Sequence, residues 1–191
     1  MRKVVVFTNL TLDGVMQAPG RADEDTRGGF QYGGWAAPYQ AMSSVSEGSM
    51  YDSGPLLLGR RTYQDFYAYW PNQTGNPFTE LLNNLPKYVA STTLKDPLGW
   101  QNSILLKGDV ADAIIKLKAE PGKDFLVMGS GVLVQTLMQH NLVDLYVLLI
   151  HPIILGTGRR LFPDGAVPVT LRLVDVQKTN NGVVATTYQP A

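Results

Sequence analysis

The sequence predicts an α/β fold: a mostly parallel central sheet with an antiparallel hairpin at its C-terminal edge. Three observations predict it. Short apolar runs alternate with segments of helical spacing through most of the chain, the pattern of strand-helix-strand units. Two of those runs enter helical segments through glycine, at Leu56-Leu57-Leu58-Gly59-Arg60-Arg61-Thr62-Tyr63 and at Phe125-Leu126-Val127-Met128-Gly129-Ser130-Gly131-Val132-Leu133. Two strand-like runs near the end flank Asn180-Asn181-Gly182, a strong hairpin signal. A length of 191 residues without linker, repeat or low-complexity tract is read as one domain, 1–191.

Val4 to Phe7 is β-branched and aromatic, as a strand buried on both faces requires, and Thr11-Leu12-Asp13-Gly14 turns the chain after it. Residues 15–35 show no steady period but contain five glycines, several charges and the aromatics Phe30, Tyr32 and Trp35, so a functional loop is expected. Pro38 suits the first turn of a helix running to about Met50. After the strand Pro55 to Leu58, the residues Tyr63, Phe66, Tyr67 and Trp70 predict a helix with an aromatic inner face. Asn76-Pro77 is a helix start, and Phe78, Leu81, Leu82 and Leu85 continue it until Pro86. Tyr88 to Ala90 is a third strand, running into Ser91-Thr92-Thr93, and Ile104 to Leu106 a fourth. Val110, Ala113, Ile114 and Leu117 give a further helix, stopped by Pro121-Gly122. Phe125 to Met128 is the fifth strand, Val132 to Gln139 a helix, and Leu142 to Ile150 the sixth strand. Leu171 to Lys178 and Val183 to Tyr188 form the hairpin.

Composition removes several functions. Lysine plus arginine equal aspartate plus glutamate at 16 each, so no global field draws the chain to nucleic acid or an anionic membrane. Without cysteine there is no disulfide, thiolate nucleophile, iron-sulfur cluster or cysteine-held zinc. The apolar run at the start is too short for a signal peptide, and no run approaches the ~20 residues that span a bilayer, so a cytoplasmic protein is expected. Paired histidines, an Asp-rich calcium loop and a GxSxG elbow are also absent.

What remains points to a local anion site. Glycine lets a backbone approach phosphate, and the first N–H groups of a helix, with the positive end of its dipole, bind the anion. Gly129-Ser130-Gly131 lacks the third glycine of GxGxxG, so its spacing alone fits a tight turn as well as a phosphate loop. Arg60 and Arg61 sit in a first helical turn, where they oppose the macrodipole; an anion between them would explain the placement. Ser91, Thr92 and Thr93 either bond a phosphate or close a turn. His140 belongs to a helix C-terminus, and His151 before Pro152 reads as structural. Asp13 ends the first strand, where α/β sheets place chemistry. Asp23, Glu24 and Asp25 read as a solvated acidic run or as one with a member facing the substrate; Phe30, Tyr32 and Trp35 line a pocket or pin the loop. Arg159 and Arg160 are surface arginines or contacts for a substrate phosphate.

In this order, Thr11-Leu12-Asp13-Gly14, Gly59-Arg60-Arg61-Thr62-Tyr63, Val89-Ala90-Ser91-Thr92, Val127-Met128-Gly129-Ser130-Gly131 and His151-Pro152-Ile153-Ile154-Leu155-Gly156-Thr157-Gly158 with Leu161-Phe162 resemble the dihydrofolate-reductase-like family, most closely the branch of the riboflavin-biosynthesis reductase domain. The resemblance implies that family's sheet with helices on both faces, and NADPH as cofactor. It places Arg60, with Arg61 beside it, and Ser91-Thr92 at the adenosine 2'-phosphate. Thr62 and the backbone of Gly129, Ser130 and Gly131 would hold the pyrophosphate, and Gly59 and Val132 count among the cofactor-binding residues. Leu12, Asp13 and Gly14 would border the nicotinamide, with Asp13 the candidate catalytic residue. The activity implied is hydride transfer to a small heterocycle, as in 5-amino-6-(5-phosphoribosylamino)uracil reductase, in a homodimer contacting through the C-terminal strands. An NADPH-binding module without turnover and a folate reductase with a relocated acid are the alternatives. Folate reductases carry a carboxylate where this chain has Trp35-Ala36-Ala37-Pro38-Tyr39, and the zinc deaminase signature of the bifunctional riboflavin enzyme is absent.

Overall fold

The computed structural model describes residues 1–39 and 54–191. Among the described residues its sheet has eight strands in the order β4-β3-β2-β5-β1-β6-β8-β7, numbered along the chain from β1, Val4–Thr11. The remaining strands are β2 (Leu56–Gly59), β3 (Lys87–Ala90), β4 (Ser103–Leu106), β5 (Phe125–Met128), β6 (Leu145–His151), β7 (Leu171–Lys178) and β8 (Val184–Pro190). Among the described residues the α-helices are α1 (Arg60–Tyr69), α2 (Pro77–Asn84), α3 (Val110–Ala119) and α4 (Gly131–Gln139). The helix expected from Pro38 to Met50 lies outside the described residues apart from a single 3₁₀ turn at Ala37–Tyr39.

The chain divides into two compact units, Met1–Val5 with Tyr51–Val143 and Val6–Met50 with Asp144–Ala191. In the first, β4, β3, β2 and β5 pair in parallel, with Leu56 opposite both Lys87 and Leu126. Leu56 to Leu58 and Phe125 to Met128 are buried throughout, which is why both strands read as unbroken apolar runs. Asn76 caps α2 by accepting the Phe78 N–H at 3.0 Å, and Asp109 caps α3 by accepting the Asp112 N–H at 3.0 Å. Lys87 is fully buried: its ammonium donates to the carbonyls of Asn83, Leu85 and Gln101 at 3.0, 2.7 and 3.1 Å, closing the C-terminal end of α2. Burial pushes its pKa down to about 8.

Helix α1 departs from expectation. Of the four aromatics expected on one face, only Tyr63 is buried; Tyr67 is exposed, Phe66 is half-buried, and Trp70, also half-buried, lies just past the helix end. The aromatic ridge is matched to Trp100: the Trp100 N–H donates to the Tyr63 hydroxyl at 3.0 Å and the Tyr67 ring stacks on the indole. Helical spacing announces an aromatic face without saying whether a strand or a loop residue will cover it.

In the second unit β8 runs antiparallel between β6 and β7. β6 starts at Leu145 instead of Leu142 because Asn141 takes a left-handed conformation (φ 54°) and the Leu142 N–H turns back to the Leu137 carbonyl at 2.9 Å, a helix-ending turn that consumes those residues. The segment after β1 is irregular, as expected, and is held by its own core of Val15, Ala18, Phe30 and Trp35, with Ile153 and Leu155 packed on it. Gly158 is required there: a Cβ would lie 2.7 Å from both the Phe30 ring and Val15. No helix among the described residues is long and apolar enough to cross a membrane.

Candidate functional site

Two clusters carry the candidate residues, one in each unit. In the first, β2 delivers Gly59, in extended conformation, to the start of α1, and β5 delivers Gly129 and Ser130, both left-handed at φ 57° and 55°, to the start of α4. The two turns bond to each other. The Gly59 N–H donates to Ser130 Oγ at 2.9 Å, and the Ser130 N–H donates to Thr62 Oγ1 at 3.1 Å. These bonds hold Ser130 in a conformation that ordinarily belongs to glycine.

The N–H groups of Gly59 and Ser130 are consumed inside the protein, and Thr62 accepts one of them, so the three residues brace the junctions. The donors left at α4 are the N–H groups of Gly131, Val132 and Leu133, since the first intrahelical bond is from Val134 to the Ser130 carbonyl at 3.0 Å. Val132 is 79% exposed, so this helix start faces solvent. Neither α1 nor α4 has a side-chain cap or an acid in its first turn. Arg61 is exposed and Arg60 half-buried, and neither makes an ion pair among the described residues. After β3, Ser91 Oγ accepts the N–H groups of Thr93 and Leu94 at 3.1 and 3.0 Å, closing the turn that presents the exposed Thr92.

In the second unit the turn after β1 is locked from several sides. Thr11 Oγ1 accepts the Val15 N–H at 2.9 Å and donates to Asp13 Oδ1 at 2.6 Å. Asp13 also accepts the N–H groups of Leu155 and Gly156 at 3.2 and 2.8 Å. The Thr11 hydroxyl, followed by those two backbone donors, holds the carboxyl below the usual carboxylate range, with burial opposing. Asp13 is therefore ionised near neutrality and accepts bonds; it has no proton to give. Leu12, 65% exposed, donates its N–H to the Ile153 carbonyl at 2.8 Å, and Gly14 accepts from Leu161 at 3.2 Å. Arg160 Nε reaches the Asp13 carbonyl at 3.1 Å, while the Arg159 N–H is held by Gln17 Oε1 at 2.9 Å.

Gln17 is the residue sequence reasoning missed. Buried, it also donates to the carbonyls of Asp25 and Arg27 and accepts the Trp35 indole N–H at 2.7 Å on its own carbonyl. One glutamine in an irregular loop gives no signal of such a role. The acidic run is occupied within its loop: Asp23 with Arg21, Asp25 with Arg27, and Glu24 accepting the N–H groups of Gly20 and Arg21. Phe30 and Trp35 are core residues, and Tyr32 is exposed.

His151, at the end of β6, is 1% exposed, with Nε2 2.9 Å from Asn9 Oδ1 and the rings of Trp35 and Tyr39 edge-on to it at 5.2 and 5.1 Å. Nδ1 has no hydrogen-bond partner among the described residues, and burial pushes the imidazole pKa down to about 4. His140 caps α4 at its C-terminus, as its position suggests. Among the described residues no histidine and carboxylate cluster is placed to hold a metal.

Comparison with known proteins agrees with the fold. The Bacillus subtilis (strain 168) protein YyaP, of uncharacterised function, is 32% identical over 138 residues, covering 70% of this chain and 72% of that one. A solved structure from Shewanella sp. PV-4, assigned to riboflavin biosynthesis, superposes with a TM-score of 0.72 at 22% identity, covering 99% of each chain. A pyrimidine reductase-like protein from Corynebacterium diphtheriae gives 0.65 at 12% identity, covering all of this chain and 92% of that one. Dihydrofolate reductase from Enterococcus faecalis, complexed with NADP(H) and RAB-propyl, gives a TM-score of 0.58 at 12% identity over 98% of this chain and 96% of that one. These likenesses establish a dihydrofolate-reductase-like fold, and since the RibD C-terminal domain profile matches residues 2–185, the chain belongs to the RibD C-terminal domain family.

Proposed function

We propose that this chain is an NADPH-dependent reductase that transfers hydride to a small heterocycle resembling the pyrimidine intermediates of riboflavin biosynthesis. The observation that carries the proposal is the contrast among its helix starts. α2 and α3 are capped by Asn76 and Asp109 and carry acids in their first turns, whereas α1 and α4 are uncapped, acid-free and, in α1, doubly basic. Such starts suit phosphate. Arg60, Arg61 and Thr92, with the Ser91 turn behind it, would hold the 2'-phosphate. The first-turn N–H groups of α1 and those of Gly131 and Val132 would hold the pyrophosphate, and the Leu12-Asp13-Gly14 turn would border the nicotinamide. When bound, the cofactor supplies a hydride from its nicotinamide C4. Asp13 holds the shape of its turn, and solvent supplies the proton.

The ionised state of Asp13 and the acid-free stretch Trp35 to Tyr39 favour, as second reading, an NADPH-binding module without turnover. Calorimetry with NADPH and NADH, then a panel of pyrimidines, pteridines and carbonyl compounds followed at the NADPH absorbance, separates the two. The proposal expects NADPH to bind at least about tenfold tighter than NADH, Arg60→Ala to erase that preference, and a pyrimidine to be reduced. Absence of NADPH binding overturns both readings. Tight binding with no turnover on the panel leaves the second, and rapid dihydrofolate reduction replaces the substrate assignment.

A further inference from the structure

β7 and β8 are joined by a turn, Thr179 to Val183, whose tip carries Asn181-Gly182, the one Asn-Gly pair in the chain. Both residues of the pair are exposed, Thr179 is buried, and Gly182 is left-handed at φ 86°. Such a pair favours a tight turn. It is also the least hindered setting for attack of a backbone nitrogen on an asparagine side chain, because glycine has no Cβ to block the approach.

The turn favours that reaction through Thr179. Its Oγ1 accepts the Val183 N–H at 3.0 Å, which fixes the hydroxyl, and donates to Asn181 Oδ1 at 2.5 Å; the Val183 carbonyl, the other acceptor within reach, is further away at 3.1 Å. A donor so close polarises the amide carbonyl and stabilises negative charge that develops on its oxygen. Asn181 Nδ2 donates to the Tyr39 carbonyl, so the side-chain amide is held from both sides with its oxygen towards Thr179. The Gly182 N–H is bonded to the Thr179 carbonyl at 3.2 Å, the longer of the two backbone bonds that close the turn, and opening that one bond frees the nitrogen.

We infer that Asn181 is a self-modification site, at which the Gly182 nitrogen attacks Asn181 Cγ and the side-chain amide becomes a carboxylate. The Gly182 N–H gives its proton to water or hydroxide as the N–Cγ bond forms, with the Thr179 hydroxyl on the developing oxyanion. The Cγ–Nδ2 bond then breaks, and ammonia leaves with a proton from water. A water molecule opens the resulting cyclic imide at either carbonyl, giving aspartate, or isoaspartate with an extra main-chain carbon. No oxidant or reductant takes part. The product cannot serve Tyr39, because a carboxylate only accepts and the Tyr39 carbonyl also only accepts. Deamidation therefore cuts the tie between the hairpin tip and Tyr39, whose ring lies edge-on to the buried His151 at 5.1 Å. The reaction needs only this hairpin and is independent of the reductase reading.

The full chain, incubated at mildly alkaline pH, is followed by peptide mass mapping, with isoaspartate detected by enzymatic methylation. Asn181 is expected to gain the mass of an amide-to-acid change ahead of every other asparagine; Asp13-Gly14 and Asp164-Gly165, already acids, give no such change. Thr179→Val, which lacks the hydroxyl, is expected to convert about fivefold more slowly, the worth of one hydrogen bond made in the transition state, and Thr179→Ser at the parent rate. Asn181→Asp, made directly, is expected to speed amide exchange at Tyr39 and to shift the His151 ring signals. The inference is overturned by an Asn181 still intact when a free peptide of the same turn sequence has fully converted, or by Thr179→Val reacting at the parent rate or faster. Unchanged Tyr39 exchange in Asn181→Asp overturns the proposed consequence. Circular dichroism checks that each variant keeps its fold, and the mass gain in the parent chain decides the matter without any variant.

Discussion

His151 makes stability depend on pH between about 4 and 6.5. Its imidazole is 1% exposed, lies edge-on between Trp35 and Tyr39, faces the neutral amide of Asn9, and has no anion recorded against it among the described residues. The folded protein therefore holds it neutral until about pH 4, whereas in the unfolded chain it takes a proton near its ordinary 6.5. Between those values the unfolded state binds more protons than the folded one, so stability falls as pH is lowered from 6.5 to 4 and the loss is complete below 4. At ~1.36 kcal/mol for each unit of pKa difference, the full loss is about 3 kcal/mol, a large part of a typical domain's stability. Urea unfolding at half-unit steps from pH 7.5 to 4 measures it in the parent chain and in His151→Gln, which keeps a polar group beside Asn9 but cannot ionise. The variant starts lower at pH 7, having lost its ring contacts, and runs flatter towards acid. Parallel pH profiles, or a His151 ring proton titrating near 6.5 in the folded protein, would refute the account. The Asp13 effect has the opposite origin and a separate window: its folded pKa is depressed, so its contribution is present above the unfolded value of 3.8 and disappears only as pH falls below it.

Asp13→Asn is expected to remove that acid limb and to loosen the segment around Gly156, seen as faster amide exchange at Leu155 and Gly156; unchanged exchange would refute the latch. Gly129→Ala forces a side chain into a left-handed backbone at φ 57° with Thr62 3.4 Å away, so a loss of about 1–2 kcal/mol on urea unfolding is expected. Thr62→Val leaves the Ser130 N–H without its acceptor and is expected to cost about 1–3 kcal/mol, while Thr62→Ser restores the bond and most of the stability.

Most strands were legible in the sequence because the sheet's middle is buried on both faces. Leu56 to Leu58 and Phe125 to Met128 had no solvent-facing position to break their apolar runs, and the latter was located to the residue. The capped start of α2 was equally legible, since Asn76 bonds to a residue two positions on; the cap that Asp109 gives α3, three positions on, was not read with its helix. Legibility failed where a partner is distant in sequence. Nothing around Tyr67 announces Trp100, and nothing near His151 announces Asn9. At the candidate site both glycine junctions were visible, but the two hydrogen bonds between them were not. Thr62 and the backbone of Ser130 read as phosphate contacts, and spacing alone does not announce that the Ser130 N–H is held by Thr62.

That exchange of bonds strengthens the case for an anion at the junctions. A turn serving only the chain is expected to satisfy its own helix, as α2 and α3 do, and a cap is worth about 0.5–2 kcal/mol. Ser130 is the N-cap residue of α4 and has the side chain to cap it, yet its hydroxyl accepts from Gly59 instead. Thr62 lies in the first turn of α1, and its hydroxyl accepts from Ser130. Both hydroxyls thus hold the junctions to each other while the N–H groups at the starts of α1 and α4 receive no side-chain cap. Two arginines then add positive charge where the α1 dipole is already positive, a placement that costs stability in the free protein. Forgone capping and unfavourable charge, in the same two turns that are braced against movement, are best explained by a negatively charged ligand whose binding offsets both.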